Sequence, residues 1–333
     1  MNRKIHSQSM DQELSAVSGA AAVDPGSPGV HTACALPLSR AVDRSSGRLP
    51  KWLKITAKFD PEYLRVRRVM TENNLHTVCA EAACPNIREC WGEGTATFMI
   101  LGKYCTRGCG FCDVLTGRPE GLDTDEPRRL AEGVAQLGLN QVVITSVTRD
   151  DLADGGASMF VATLRELRRR DPMVKVELLI PDLRGNSDGV RAVLDSRPDV
   201  FAHNVETVSR LYRRVRGGAE LERSLGILRL AGEYDPRPVV KTGFMVGLGE
   251  TREEIVELLH QIHATGTDIV TVGQYLRPSD SHLPVERYYP PEEFVEIADT
   301  GRDIGFGHVE AGPLVRSSYR AFNQSKRLLQ AAS

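Results

Sequence analysis

Between residues 95 and 276 the chain repeats one pattern: a short apolar run, a polar or glycine-rich stretch, then an amphipathic stretch of helical period. The runs TATFMIL, QVVITSV, KVELLIP, PDVFAHNV, VVKTGFMV and DIVTVGQYL are continuously apolar and rich in β-branched residues, as strands buried on both faces of a parallel sheet must be. The clearest helix is TREEIVELLHQIHATG. Thr251 and Glu254 have capping-box spacing, Ile255, Leu258, Leu259 and Ile262 share one face, and Gly266 supplies the stop. Repeated strand–helix units with right-handed crossovers make either an open doubly wound sheet or a barrel, and six units suit an α/β fold of the partial (β/α)6 TIM type.

Composition narrows the class further. Hydrophobic residues make up 41% of the 333, enough for a large core, and 42 basic against 44 acidic side chains leave a formal net charge of −2. Such a balance offers no bulk field for nucleic acid or an anionic membrane, so neither is expected as a partner. No apolar run reaches the length of a membrane span. The start of the chain lacks a secretory apolar stretch and carries acids that a mitochondrial presequence avoids, which predicts a cytoplasmic protein. Residues 1–48, rich in Ala, Ser, Gly and Pro, read as a disordered N-terminal extension that contains Cys34, a free thiol with no assigned role.

The polar stretches after the six runs are GKYCTRGCGFC, TRDDLADGG, DLRGN, ETVSR, GLGE and RPSDSH. Parallel α/β folds build their sites from loops at the carboxyl ends of the strands, so these segments should converge on one mouth. The first carries Cys105, Cys109 and Cys112 in the spacing C-x3-C-x2-C, and just before the first run lie Cys79, Cys84 and Cys90 in the spacing C-x4-C-x5-C. In a reducing compartment clustered thiols point to metal binding or catalysis, and soft thiolates select zinc, Cu(I) or iron–sulfur. By spacing alone, zinc completed by a distant histidine stays open for either triplet. An electron carrier and a zinc-stabilised interaction module also remain open.

The C-x3-C-x2-C loop, with Phe111 before its last cysteine, resembles the radical S-adenosylmethionine superfamily. CPNIRECWGEGTATFMILG resembles the N-terminal motif of the lipoyl synthase family, and the resemblance continues through VITSVTRDDLADGGA, LIPDLRGN, KTGFMVGLGE, TVGQYLRPS and GPLVRSSYRA, from about Leu49 to Phe322. It implies a radical S-adenosylmethionine sulfurtransferase that inserts two sulfur atoms, at C6 and C8, into an octanoyl chain on a carrier lysine, giving the lipoyl group. It also implies two 4Fe-4S clusters and S-adenosyl-L-methionine as cofactors. Cys105, Cys109 and Cys112 would hold the radical-generating cluster, which leaves one iron open. Cys79, Cys84, Cys90 and Ser318 of the RSSY motif would hold an auxiliary cluster consumed as sulfur donor. The implied partners are octanoylated lipoyl carrier domains (E2 subunits of 2-oxoacid dehydrogenases and the glycine cleavage H protein), a low-potential electron donor such as ferredoxin or flavodoxin, and an iron–sulfur carrier. The expected organisation is an auxiliary-cluster segment over 49–94, a barrel over 95–310 and a C-terminal segment with the RSSY motif over 311–333. Ala202 in FAHNVET departs from the more polar residue the family pattern leads one to expect.

At the mouth, Arg149, Asp150 and Asp151 are placed to hold ribose or substrate, or equally to form an ion pair shaping the loop. Asn204, Glu206, Gly247 and Gly249 are candidates for cofactor contact, the glycines through close backbone approach. His203 reads as a satisfied barrel residue, and Gln274 and Tyr275 as groups near the acyl chain. The basic runs LRELRRRD and LYRRVRGG read as solvated helix faces, with docking of an acidic carrier as the alternative.

Overall fold

A computed structural model describes residues 49–54, 60–93 and 95–331; the extension expected over 1–48 lies outside them. Eight strands form one sheet in chain order: β1 (His76–Thr77), β2 (Thr97–Ile100), β3 (Gln141–Ser146), β4 (Lys175–Leu179), β5 (Val200–Ala202), β6 (Val239–Val246), β7 (Ile269–Gln274) and β8 (His308–Gly312). β1 pairs antiparallel with β2, and every later pairing is parallel. The order ends at β1 on one side and β8 on the other, so the barrel is partial.

The six predicted runs become β2 to β7, separated by helices Glu126–Leu137, Ala157–Arg170, Ser187–Asp195, Leu221–Gly232 and Arg252–His263. In the last of these the Thr251 hydroxyl accepts from the Glu254 amide while the Glu254 carboxylate accepts from the Thr251 amide, and Ile255, Leu258, Leu259 and Ile262 are buried against the sheet. Helix Pro291–Ile304 then leads into β8, a seventh parallel strand that the sequence reading did not contain. Its residues HVEAG bury only Val309, so the segment lacks the continuous apolar run that marked the others. β8 also straddles residue 310, where the barrel was expected to end.

Phe98, Ile144, Val176, Leu178, Phe201, Val240 and Val270 are fully buried on the sheet, each stabilising the fold by about 1.5–3 kcal/mol relative to exposure. The C-terminal helix Ala321–Ala331 sets Leu328 and Leu329 against Val200, Val239 and Ile269, the first residues of β5, β6 and β7. This closes the amino end of the barrel and leaves the carboxyl ends for the site. Inside, Lys241 of β6 and Glu177 of β4 pair at 2.8 and 3.0 Å with both side chains buried.

Between β8 and the last helix the chain crosses the concave face of the sheet. Gly273 of β7 makes this possible, because a β-carbon there would overlap the carbonyl of Val315. The crossing segment is tied to the N-terminal one at three points: Asn86 Nδ2 donates to the Leu314 carbonyl (2.6 Å), Thr97 Oγ1 donates to Ser318 Oγ (2.8 Å), and the Glu89 carboxylate accepts from Tyr319 Oη (2.7 Å) and Arg320 Nη2 (2.8 Å).

Candidate active site

The C-x3-C-x2-C loop leaves β2 and is fixed from three sides. Cys105 N donates to Leu115 O, Thr106 N to Thr148 O, and Gly110 N to Val215 O, while Leu283 N donates back to Gly110 O. Gly110 is required here, since a β-carbon would lie 2.9 Å from Leu283 and 3.3 Å from the Arg214 carbonyl. The Thr148 amide donates to Cys105 Sγ at 3.3 Å, which fixes the sulfur's position against the loop after β3. His282, held by Ser279, lies 3.0 Å from the Cys112 carbonyl and ties the RPSDSH loop to this one.

The other triplet sits on two short helices. Thr77 caps Val78–Glu81, which carries Cys79; the Cys84 amide returns to the Cys79 carbonyl, and Cys90 lies on Ile87–Gly92. Burial raises Cys79 to about 11, with Cys84 adding to it, and raises Cys90, with Cys79, Cys84, Glu89 and Glu93 adding to it. Burial likewise raises Cys109 to about 11 and Cys112 to about 12, each with Cys105 among its neighbours. The thiols thus interact within two separate sets of three.

Both sets face one cavity of about 340 Å³. Its wall includes Cys79 and Cys84 from one triplet, Cys105, Cys109 and Cys112 from the other, and Arg316 and Ser318 from the crossing segment. The same wall carries the apolar side chains of Met99, Val147, Ile180 and Met245. Arg316 reaches in beside Cys84; burial lowers its guanidinium and the neighbouring thiol opposes that. All six thiols are free of disulfides.

The donor chemistry fits iron–sulfur clusters. Each set is three soft thiols, and among the described residues no three His, Cys, Asp or Glu side chains converge closely enough for a single ion. Zinc would draw its thiolates to about 2.3 Å from one centre. The cavity also fits a polar ligand beside the Cys105 set: Asn204 Oδ1 is buried without a partner among the described residues, and the carboxyl of Glu206 is raised by burial while Arg216 pulls it down.

The structure divides the remaining candidates. Asn204, Glu206, Gln274 and Tyr275 line the cavity. The amide of Gln274 is engaged by the backbone of Tyr275, Arg287 and Tyr289, and Tyr275 Oη donates to the Leu283 carbonyl. Arg149 is buried away from the cavity, paired with Asp151 at 2.8 Å through both Nε and Nη2, so the loop-shaping reading describes it. Asp150 instead binds Arg107 at 2.6 and 2.8 Å. Gly247 (φ 104°) and Gly249 (φ 105°) lie outside the cavity wall; a side chain at Gly247 would strike Gln274. His203 is fully buried: its Nδ1 donates to the Ile180 carbonyl (2.9 Å), so Nε2 accepts from Ser224 (3.0 Å), and burial drives it down to about 3.

One part of the basic-run reading needs correction. In LYRRVRGG, Arg213 and Arg214 are exposed, but Arg216 turns inward, donates to the Asn204 carbonyl (2.7 Å) and Tyr212 Oη (3.0 Å), and lines the cavity. The helical period hid it, because helix Tyr212–Val215 ends one residue earlier. Sequence reasoning also passed over Arg107, which lies between two cysteines, forms ion pairs with Asp150 and Asp182 (2.8 Å) and lines the cavity. The signal for it was the pair of acids after later strands, Asp150 and Asp182, which must find a cation if buried.

A partial barrel with a three-thiol loop at the carboxyl end of its first parallel strand defines a radical S-adenosylmethionine enzyme. Residues 99–262 match the model of that superfamily. SuiB of Streptococcus suis, solved bound to S-adenosylmethionine, shares the fold (TM-score 0.51, 15% identity, 69% of this chain and 55% of that one). Residues 37–84 match the N-terminal domain of lipoyl synthase. The lipoyl synthase of Rubrobacter xylanophilus is 55% identical over 277 residues, 83% of this chain and 86% of that one, and that of Symbiobacterium thermophilum is 54% identical over 278 residues, 84% and 87% of the two chains. The chain belongs to the lipoyl synthase family.

Proposed function

We propose that this chain converts an octanoyl group on the lysine of a lipoyl carrier domain into the lipoyl group, with Cys105, Cys109 and Cys112 holding the radical-generating cluster. When bound there, the cluster and S-adenosylmethionine supply a 5′-deoxyadenosyl radical that abstracts hydrogen from unactivated carbon. Sulfur insertion at C6 and C8 would require one S-adenosylmethionine for each position, with electrons from a low-potential donor of the ferredoxin or flavodoxin type. The sulfur is the second substrate, delivered from the auxiliary cluster on Cys79, Cys84, Cys90 and Ser318 and replenished by an iron–sulfur carrier. The carrier domains are the E2 subunits of 2-oxoacid dehydrogenases and the glycine cleavage H protein, and the bacterial relatives support a cytoplasmic enzyme. Among the described residues no helix is long and apolar enough to cross a membrane.

The observation that carries this reading is one cavity walled by thiols of both triplets. The protein's own work is positional. Met99, Val147, Ile180 and Met245 offer an apolar track for the hydrocarbon between the two sets. Asn204, Glu206 and Arg216 present a polar end beside Cys109, suited to the amino, carboxylate and ribose groups of S-adenosylmethionine. Thr97 orients the Ser318 hydroxyl by donating to it. Arg316 places a positive charge beside Cys84, which offsets part of the cost of several buried thiolates.

Anaerobic reactions of two variants test the division of labour. Cys109→Ala abolishes 5′-deoxyadenosine, whereas Cys84→Ala keeps reductive cleavage and loses lipoyl product. Lipoyl product from Cys84→Ala carrying one cluster would overturn the sulfur-source assignment.

A further inference from the structure

Beside the cavity lies a second pocket of about 440 Å³, walled by Arg107, Asp150, Arg184, Gly218 and Arg223. Arg107 belongs to both walls, so the two spaces are one side chain apart. Two of the three guanidiniums are committed. Arg107 pairs with Asp150 and Asp182, and Arg223 donates to Asp182 (3.0 Å) and the Gly218 carbonyl (3.3 Å) and pairs with Glu220 (3.0 Å). Burial alone would raise the Asp182 carboxyl, but Arg107 and Arg223 hold it well below the usual carboxylate range. Arg184 is different. Its amide goes to Asp182 Oδ1 (3.1 Å), while its exposed guanidinium has no hydrogen-bond or ion-pair partner among the described residues. Arg107 and Arg223 thus share Asp150, Asp182 and Glu220, and of the three guanidiniums in this wall Arg184's is the one without a carboxylate among the described residues.

The backbone that presents Arg184 is unusual. Leu183 (φ 44°), Arg184 (φ 53°) and Gly185 (φ 77°) are consecutive left-handed residues, a conformation that L side chains rarely adopt. Asp182 caps the turn and Leu183 anchors it in the core. Glycine would suit position 184 better if the turn were its only task. The arginine there keeps a planar two-pronged donor, the geometry that matches one carboxylate.

Resting on the functional reading above, we propose that this pocket seats an acidic side chain of the octanoylated carrier, next to the acylated lysine, while the acyl chain enters the adjoining cavity. A single carboxylate matches the single uncommitted guanidinium in this wall. A polyanion would meet Asp150 in the same wall. Recognition by a partner that also delivers the acyl chain explains why the free guanidinium lies beside the cavity.

Fluorescent octanoyl-lysyl peptides flanked by Glu or by Gln test this by anisotropy against the reconstituted full-length enzyme. The native enzyme binds the Glu peptide about fivefold tighter than the Gln peptide at low salt, the most that one exposed ion pair provides, and the preference fades as salt rises. Arg184→Gln abolishes the preference, Arg184→Lys keeps part of it, and both variants retain binding of the Gln peptide and 5′-deoxyadenosine formation. An unchanged preference in Arg184→Gln, equal weakening of both peptides, or displacement of both alike by inorganic phosphate, which marks a free-anion site, would each overturn the proposal. If the native enzyme binds the peptides with this preference yet converts neither to lipoyl product, the functional reading falls and the recognition by Arg184 stands.

Discussion

Replacing Gly273 with Ala tests whether the C-terminal crossing sets the geometry of the site. The added β-carbon would sit about 1 Å inside the 3.0 Å that real β-carbons keep from other atoms, and it would meet the backbone oxygen of Val315, which no side-chain rotation can move. The Val315 carbonyl carbon at 3.1 Å and Arg316 Nη1 at 3.3 Å close the escape on that side. Either β7 or the crossing segment must therefore shift. β7 is held by parallel pairing to both β6 and β8, whereas the segment is held by scattered hydrogen bonds at Leu314, Val315, Ser318, Tyr319 and Arg320. The segment should give way, carrying Arg316 and Ser318 with it, at a cost of about 1–3 kcal/mol in stability. Misplacement by about 1 Å is enough to lower a positioned reaction about 100-fold. Among the described residues no backbone hydrogen bond joins the C-x3-C-x2-C loop to residue 273 and passes on the shift. The expected result is a folded protein that makes 5′-deoxyadenosine at the native rate and lipoyl product about 100-fold more slowly, both measured in one anaerobic reaction. Native coupling of the two products in Gly273→Ala would refute the claim that the crossing sets the sulfur-donating geometry. Equal loss of both would show that the strain spreads through the barrel instead.

Ser318→Cys gives the auxiliary site a fourth soft ligand, so iron should be retained at least as well as in the native protein, while tighter ligation slows lipoyl formation and leaves 5′-deoxyadenosine unchanged; normal coupling would show that release of the serine has no mechanistic part. His203, neutral in the fold with its pKa driven down to about 3 against 6.5 when unfolded, binds its proton only in the unfolded chain between those values, so its contribution to stability falls as pH drops below 6.5. From pH 7 to pH 5 this costs about 2 kcal/mol, and urea midpoints should show a smaller pH dependence in His203→Gln than in the native protein; identical slopes would contradict it.

Local signals carried much of this protein. The six strands β2 to β7 were legible because a strand buried on both faces has to be continuously apolar, and the capping box at Thr251 and Glu254 because its bonds span three residues. Both thiol triplets were legible for the same reason: each lies within one loop or one pair of short helices, so spacing alone brings its members together. β8 was not, because a strand at the edge of the partial barrel buries a single side chain and leaves no period to read. Arg149 shows the limit from the other side. Its place after β3 was clear, but whether it faced ligand or Asp151 depended on where the loop folded back.

The set of donors and the repeat that carries them follow from local pattern: three thiols on the first barrel loop, three just ahead of it, and a parallel sheet with its polar loops at one end. That the two sets share one cavity, that Ser318 reaches Thr97 across 221 residues, and that Arg107, Arg216 and Arg316 are the cations facing it among the described residues emerges from the folded chain alone. The physical reason is range. Spacing and periodicity report bonds made within a turn or two of chain, whereas the crossing segment is held by a missing side chain at Gly273 and by hydrogen bonds to residues more than two hundred positions away, contacts that exist only once the barrel has brought its two ends together.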